Sequence, residues 1–331
     1  MCQYFSAQDF ESIYNKLDKD LLKFKSSNVI VQVDSLLYRQ EVSGFIVNDL
    51  KSLKVEALAE YSFYTKALEL TNEILASKDI LSERAEVRIR VQRALIFEVF
   101  ENSRETLFEL NRLEEIYTTK PKDRYYGQYL FRKSSYYRVL KPVEKSDSIG
   151  LLYAQKAAAF GDLHKYYDVS AIAKMLQSFF RDKKDYKNKR RFLQAALKDF
   201  KLLENPLSVS LMYTELSRIS QKENEIEKAQ IYLDSALNEA KITGDLFLKS
   251  YTFEKRSIFL ESIGQKDSAL YYFKKFHKAE IGINVEKQKL EVAEINLKNQ
   301  IENQKLIVNK SKSELLDLKK DNFSVFIYYF L

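Results

Sequence analysis

Apolar positions recur along this chain at two scales, the helical turn and a longer period of forty residues. Four stretches superimpose at that period: SIGLLYAQKAAAF from Ser148, NKRRFLQAALKDF from Asn188, KAQIYLDSALNEA from Lys228 and SALYYFKKFHKAE from Ser268. One column of the overlay holds Ile149, Lys189, Ala229 and Ala269; the column four residues later holds Tyr153, Leu193, Leu233 and Phe273. Three further on come Lys156, Ala196, Ala236 and Phe276. Steps of four and three put these positions on one helix face. The preceding segment repeats in the same way, with Ala173, Tyr213 and Phe253 in register, and Leu176 with Leu216. Each unit therefore reads as two antiparallel helices. One such pair cannot bury both its faces, so neighbours must stack, and the pattern predicts an all-α, helix-pair solenoid.

Punctuation supports the boundaries. Ser146-Asp147-Ser148 and Asp267-Ser268 stand where second helices begin, and short oxygen-bearing side chains satisfy free amides there. Asn205-Pro206 opens a first helix, and Gly244 and Gly264 fall where helices should end. A looser pair covers about 88–118, and DFESIYNKLDKDLLKF and ALAEYSFYTKALELTNEIL read as two amphipathic helices before it.

The stretch YTELSRISQKENEIEKAQIYLDSAL resembles the tetratricopeptide repeat family. Its Tyr213, Leu216, Ala229, Leu233 and Ala236 match the family's large, Leu, small, large, small order, and Phe253, Ala269 and Phe273 continue it in the next unit. There Arg256 replaces the Leu, both units lack the closing Pro, and the period is forty instead of thirty-four. The resemblance covers roughly residues 85–280 and implies repeat packing by these eight residues and a role in binding proteins or peptides.

From about residue 266 the helical pattern runs unbroken, without Gly or Pro after Gly282. Ile283, Leu290 and Leu297 recur every seven residues, and Ile301, Val308 and Leu315 form a second set four residues out of phase. This seam is interrupted by Lys287, Glu294, Gln304 and Ser311, and predicts a long C-terminal coiled-coil helix that pairs into a homodimer. The last nine residues, FSVFIYYFL, are apolar but for Ser324 and follow Lys319-Lys320. They read as the first half of a transmembrane helix, because nine residues reach only about 14 Å. At the other end, YFSAQ reads like the tail of a signal peptide cleaved after Ala7. The expected organisation is 1–84 N-terminal helices, 85–265 repeats, 266–320 last repeat helix running into coiled coil, and 321–331 start of the membrane helix.

That order resembles bacterial signalling proteins in which tetratricopeptide repeats precede a coiled coil, a transmembrane helix and a histidine-kinase or helix-turn-helix output domain. The resemblance implies a sensor arm in signal transduction or transcription control. The two terminal stretches together, a clipped signal peptide and a membrane helix, would place the repeats on the periplasmic side of the bacterial inner membrane, with membrane association through the C-terminal stub. The alternative is a freestanding scaffold, cytoplasmic, that dimerises and holds partner proteins together.

Composition narrows the chemistry. Seven glycines and three prolines in 331 residues cannot supply the turns of a large sheet or a Gly-rich phosphate loop. Cys2 is the only cysteine, which rules out an intrachain disulfide and a Cys-based zinc site. His164 and His277 belong to no metal-binding pair and have no nucleophile beside them in sequence. No catalytic, cofactor-binding or metal-binding residue is assigned, no cofactor is expected, and the chain reads as a non-enzyme.

Two segments, Lys120–Lys145 and Arg181–Arg191, carry most of the net charge of +7. The first contains RYYGQYLFRKSSYYRVLK, in which Tyr126, Tyr129, Lys133 and Tyr137 share a helical spacing and Arg132 interleaves. These five residues are the candidate partner-binding set, in the first-helix slot that lines the groove in the repeat family. The competing and favoured reading has the tyrosines packing between repeats. Nucleic-acid binding ranks behind both. RDKKDYKNKRR has little aromatic interleaving and reads as a solvated turn.

Overall fold

The structure is a computed structural model that describes residues 7–38, 45–76, 81–290 and 292. Contacts divide the chain into two compact units, Met1–Glu280 and Ile281–Leu331, and the solenoid is built within the first. Thirteen helices run α1 (Ala7–Leu22), α2 (Ser26–Tyr38), α3 (Phe45–Glu60), α4 (Tyr64–Ala76), α5 (Glu83–Val99), α6 (Ser103–Thr119), α7 (Arg124–Val139), α8 (Ser146–His164), α9 (Tyr167–Phe179), α10 (Tyr186–Leu202), α11 (Pro206–Lys222), α12 (Ile226–Thr243) and α13 (Leu246–Ser262). A further helix, α14, covers 266–290, and the described residues contain no strand. The second helices α8, α10, α12 and α14 start at 146, 186, 226 and 266, so the forty-residue period of the sequence is the spacing of real helix pairs.

Local signals set the ends. Asn205 caps α11 by accepting the Ser208 N–H at 2.9 Å, with Pro206 as the first helical residue. Asp123 takes the N–H groups of Tyr125 and Tyr126 at the start of α7. Gly244 ends α12 in the left-handed region, at φ 69°. Most other links use the same conformation without glycine, at Ser62, Glu101, Lys141, Lys165, Glu204 and Asn224. This is how a chain so poor in glycine turns so often, at a conformational cost of about 1–2 kcal/mol per residue. Ser62 also corrects a sequence expectation. The single helix read through ALAEYSFYTKALELTNEIL breaks there, where the Phe63 N–H reaches back to the Leu58 carbonyl at 2.8 Å and closes α3.

Packing follows the repeat. Leu216, Ala229, Leu233, Ala236 and Ala269 are buried, and a fully buried Leu216 contributes on the order of 1.5–3 kcal/mol. Tyr213 and Phe253 are half-buried, their rings against Tyr232 and Tyr272. Phe273 stands 53% exposed, and Tyr272, one residue earlier, joins the cluster instead. Small residues let paired helices approach. The hydroxyls of Ser217 and Ser257, forty residues apart, donate to the Ala229 and Ala269 carbonyls, both at 2.8 Å, and Ser134 does the same to Gly150 at 2.8 Å.

Gly161 marks the closest approach. A Cβ there would lie 2.6 Å from the backbone nitrogen of Ser170, an atom with no side-chain freedom to move away. Gly161→Ala should therefore prise α8 from α9 and cost about 1–3 kcal/mol in urea denaturation. An unchanged midpoint would mean that this contact relaxes freely.

The direction of curvature follows from which helices touch. First helices contact one another, α3 with α5, α5 with α7, α7 with α9 and α11 with α13, whereas successive second helices share no contact of like extent. The first helices therefore line the inner side. The turn is tight enough to bring distant segments together: Lys23 pairs with Glu204 at 2.5 Å, Asn205 donates to the Leu22 carbonyl at 3.0 Å, and the Tyr61 and Phe247 ring centroids lie 4.7 Å apart.

The membrane placement expected from the sequence is corrected here. Among the described residues no helix is long and apolar enough to cross a membrane. The run 323–331 on which that placement rested, like the coiled-coil seam beyond residue 292 and the segment YFSAQ up to Ser6, lies outside the described residues.

Candidate functional site on the inner helix face

The inner face carries a polar network assembled from five helices. Its centre is Arg88 of α5, whose side chain is 1% exposed. The guanidinium donates to Glu56 of α3, to Asp18 of α1 and, at 3.1 Å, to the Tyr14 hydroxyl. Arg84, one turn earlier, grips Asp49 at 2.6 Å and Glu11 at 2.8 Å, and its guanidinium lies 3.9 Å from the centre of the Tyr14 ring. Arg124, in the first turn of α7, bridges Asp168 of α9 at 2.9 Å and Asp18 at 3.3 Å. Gln128 adds a bond to Asp168 at 3.4 Å.

These contacts fix the path of α1. It crosses the first turns of α5 and α7 and ends against Glu204 and Asn205 before α11. The N-terminal helix thus lies across the starts of the first helices and neutralises their arginines with Glu11 and Asp18.

The electrostatics match the geometry. Burial would push the Asp18 carboxyl up, but Arg88 and Arg124 outweigh it and hold the group below the usual carboxylate range. Glu60 moves the other way. Burial, and then repulsion from Glu56 one turn earlier, push it up to about 8, against the Ser26 hydroxyl that donates to it.

The five residues singled out in RYYGQYLFRKSSYYRVLK separate onto two faces of α7. Tyr129 and Lys133 are buried, with Lys133 Nζ on the Tyr129 hydroxyl at 3.0 Å and on Glu114 of α6 at 2.8 Å. Tyr126 is half-buried against Tyr117 and Phe160, and Tyr137 stacks on Tyr153. These four side chains pack toward α6 and α8. Arg132 lies on the other face, in line with Arg124, Gln128 and Ser135 at helical spacings of four, four and three. Its neighbours on that line are all engaged: Arg124 and Gln128 as above, and Ser135 with Glu98 at 2.6 Å. Arg132 itself makes no hydrogen bond or ion pair among the described residues, and its Nε is buried without an acceptor. Burial pulls its pKa down, opposed by the more distant Glu98 and Glu56.

Sequence reasoning missed Arg84, Arg88 and the carboxylates that meet them. A signal was present in VRIRVQR, where Arg88, Arg90 and Arg93 interrupt Val87, Ile89 and Val91 so closely that no wholly polar face remains. Arginines in such a run must be buried with partners. Among the described residues no group of three or more His, Cys, Asp or Glu side chains could hold a metal ion. His164 and His277 are both exposed.

No family model matches the sequence, and no curated protein matches it. Solved structures do. A Rap protein complexed with competence and sporulation factor superimposes with a TM-score of 0.62 at 12% identity, over 84% of this chain and 78% of that one. The fold is a tetratricopeptide-like helical solenoid. NprR in complex with its cognate peptide NprX matches with a TM-score of 0.51 at 12% identity, covering 90% of this chain and 89% of that one. A signal transduction ATPase with a tetratricopeptide repeat sensor from Pyrococcus horikoshii gives 0.53 at 17% identity, and this chain spans 47% of its length. Likeness at such identities establishes the shared fold alone.

Proposed function

We propose that this chain is a non-catalytic interaction scaffold whose inner helix face binds a peptide or protein segment through an acidic group. The observation that carries the reading is Arg132, a guanidinium on the lining that has no acceptor within the described protein while every polar neighbour in its row has one. An arginine held this way keeps its charge and presents a planar fork suited to a carboxylate. The solved solenoids add support: one was crystallised with its cognate peptide and another with competence and sporulation factor. The scaffold reading needs no membrane anchor and no output domain.

Selection of peptides from a displayed random library on the full chain tests it directly. Selected peptides should be rich in Asp or Glu, and Arg132→Ala should weaken them at least 10-fold, the loss of one charge-assisted hydrogen-bonded pair of about 1.5–3 kcal/mol. The melting temperature should stay close to that of the parent, since Arg132 has no hydrogen bond or ion pair among the described residues to lose. Selected peptides that bind Arg132→Ala and Arg132→Glu as tightly as the parent would overturn the reading.

A further inference from the structure

The far ends of the same helices carry a second feature, distinct from the inner lining. The α7–α8 and α9–α10 turns line an open surface hollow of about 860 Å³. Its charged lining is lopsided, with Arg138, Lys141, Arg181, Lys183 and Lys184 against two carboxylates, Asp147 and Asp182. One carboxylate is engaged, since Asp182 accepts the backbone N–H of Lys184 at 2.9 Å within its own turn. The turn RDKKD, solvated by its sequence, is thus brought beside the end of α7 and shares its hollow with cations forty residues away.

The two arginines are held in place but not neutralised. The Arg138 guanidinium lies over the Phe179 ring at 5.2 Å, and Arg181 over the Phe192 ring at 5.1 Å. Neither forms an ion pair among the described residues, and the Nε atoms of both are buried without a partner. Stacking of this kind limits rotamer freedom, so little more is lost when an anion arrives. Lys141, Lys183 and Lys184 are exposed around the rim, with no acidic side chain paired to them.

We propose that this hollow is a docking site for an acidic peptide segment of a partner protein. Five cations against two carboxylates demand an anionic ligand. The placement of the carboxylates favours a peptide over a nucleic acid. A phosphate backbone carries charge at every residue and would meet Asp147 and Asp182, whereas a peptide can place uncharged residues opposite them. Base stacking is also poorly served. The Phe180 ring is pressed against α8, where a Cβ at Gly150 would lie 2.4 Å from it, and Phe179 already carries Arg138.

The probe is a fluorescein-labelled peptide of alternating Glu and Ala, about ten residues long, titrated with the full chain in fluorescence polarisation at low and at physiological salt. A single-stranded RNA of similar length is run in parallel. Saturable binding of the peptide is expected, weakening as salt rises. The triple variant Lys141→Glu, Lys183→Glu and Lys184→Glu changes only exposed side chains and should lower affinity at least 10-fold. Arg138→Ala with Arg181→Ala should lower it by a similar factor, and both losses should persist when the titrations are repeated in an Arg132→Ala background, which removes the inner lining's guanidinium and so separates the two sites. No saturable peptide binding, binding indifferent to the triple reversal, or RNA bound more tightly than peptide through the same residues would each overturn the proposal.

Discussion

Alanine in place of Arg88 is expected to destabilise the solenoid by roughly 3–5 kcal/mol, the cost of removing one member of a buried charge network. The loss is large because three groups depend on one guanidinium. Glu56 is 5% exposed and keeps no other ion-pair partner among those Arg88 contacts. Asp18 keeps Arg124, at 3.3 Å, and Tyr14 loses the donor to its hydroxyl. Arg88→Lys should fall between, because the single nitrogen of an ammonium cannot be in two places at once, whereas the guanidinium meets Glu56 through one nitrogen and Asp18 and the Tyr14 hydroxyl through another. Arg88→Met combined with Glu56→Gln should recover much of the loss, since it removes the orphaned charge together with its partner. Urea unfolding followed by circular dichroism reads all three. A loss under about 1 kcal/mol for Arg88→Ala would mean that water reaches the site and screens it.

That network also shows which parts of the structure were legible in the sequence. The helices from α8 to α14 were, because similar apolar steps recur at a fixed forty-residue interval and each helix is amphipathic with respect to its neighbours. Of the N-terminal helices, α1 was read in DFESIYNKLDKDLLKF, but α2 and most of α3 were not. NVIVQVDSLLY in α2 is apolar on most sides, and α3 mixes Asn48, Asp49, Ser52 and Glu56 into its buried face. Two of these residues are met from the neighbouring first helix, Asp49 by Arg84 and Glu56 by Arg88, and no local period encodes a partner more than thirty residues away. The aromatic segment of α7 shows the same limit in reverse. Its spacing put Tyr126, Tyr129, Lys133 and Tyr137 correctly on one face, but spacing does not say whether that face meets a neighbouring helix or the inner side. The contacts with Tyr117, Glu114 and Tyr153 supply the answer. Arg132 is one residue out of step with that face, and it is the one that turns inward.

Raising the pH from about 4.5 to about 8 should weaken the N-terminal part of the solenoid, and Glu60→Gln should abolish that weakening. Glu60 ends α3 and receives the hydroxyl of Ser26, the first residue of α2, so it ties the two helices together. Around it stand Glu56 on its own helix, Arg88 on α5 and Arg124 on α7. Burial and Glu56 dominate over the two arginines and raise the carboxyl from near 4.5 to about 8. A raised acid pKa means that the unfolded chain releases this proton first, while the folded chain keeps it. Between the two values the native state therefore binds more protons, so its stability is fully present below about 4.5, falls as the pH climbs, and levels off above about 8. At 1.36 kcal/mol per pKa unit the total is a few kcal/mol, reduced where solvent reaches the carboxyl. Glutamine keeps an acceptor for Ser26 and cannot ionise, so Glu60→Gln should melt like the parent at pH 4.5 and several degrees higher at pH 8. The measurement is a set of thermal melts of both proteins across that range, with amide exchange in α1 and α2 to locate the change. A gap between the two melting temperatures that stays constant with pH would show that Glu60 is already ionised in the folded chain and that its partners, not its proton, hold α2 in place.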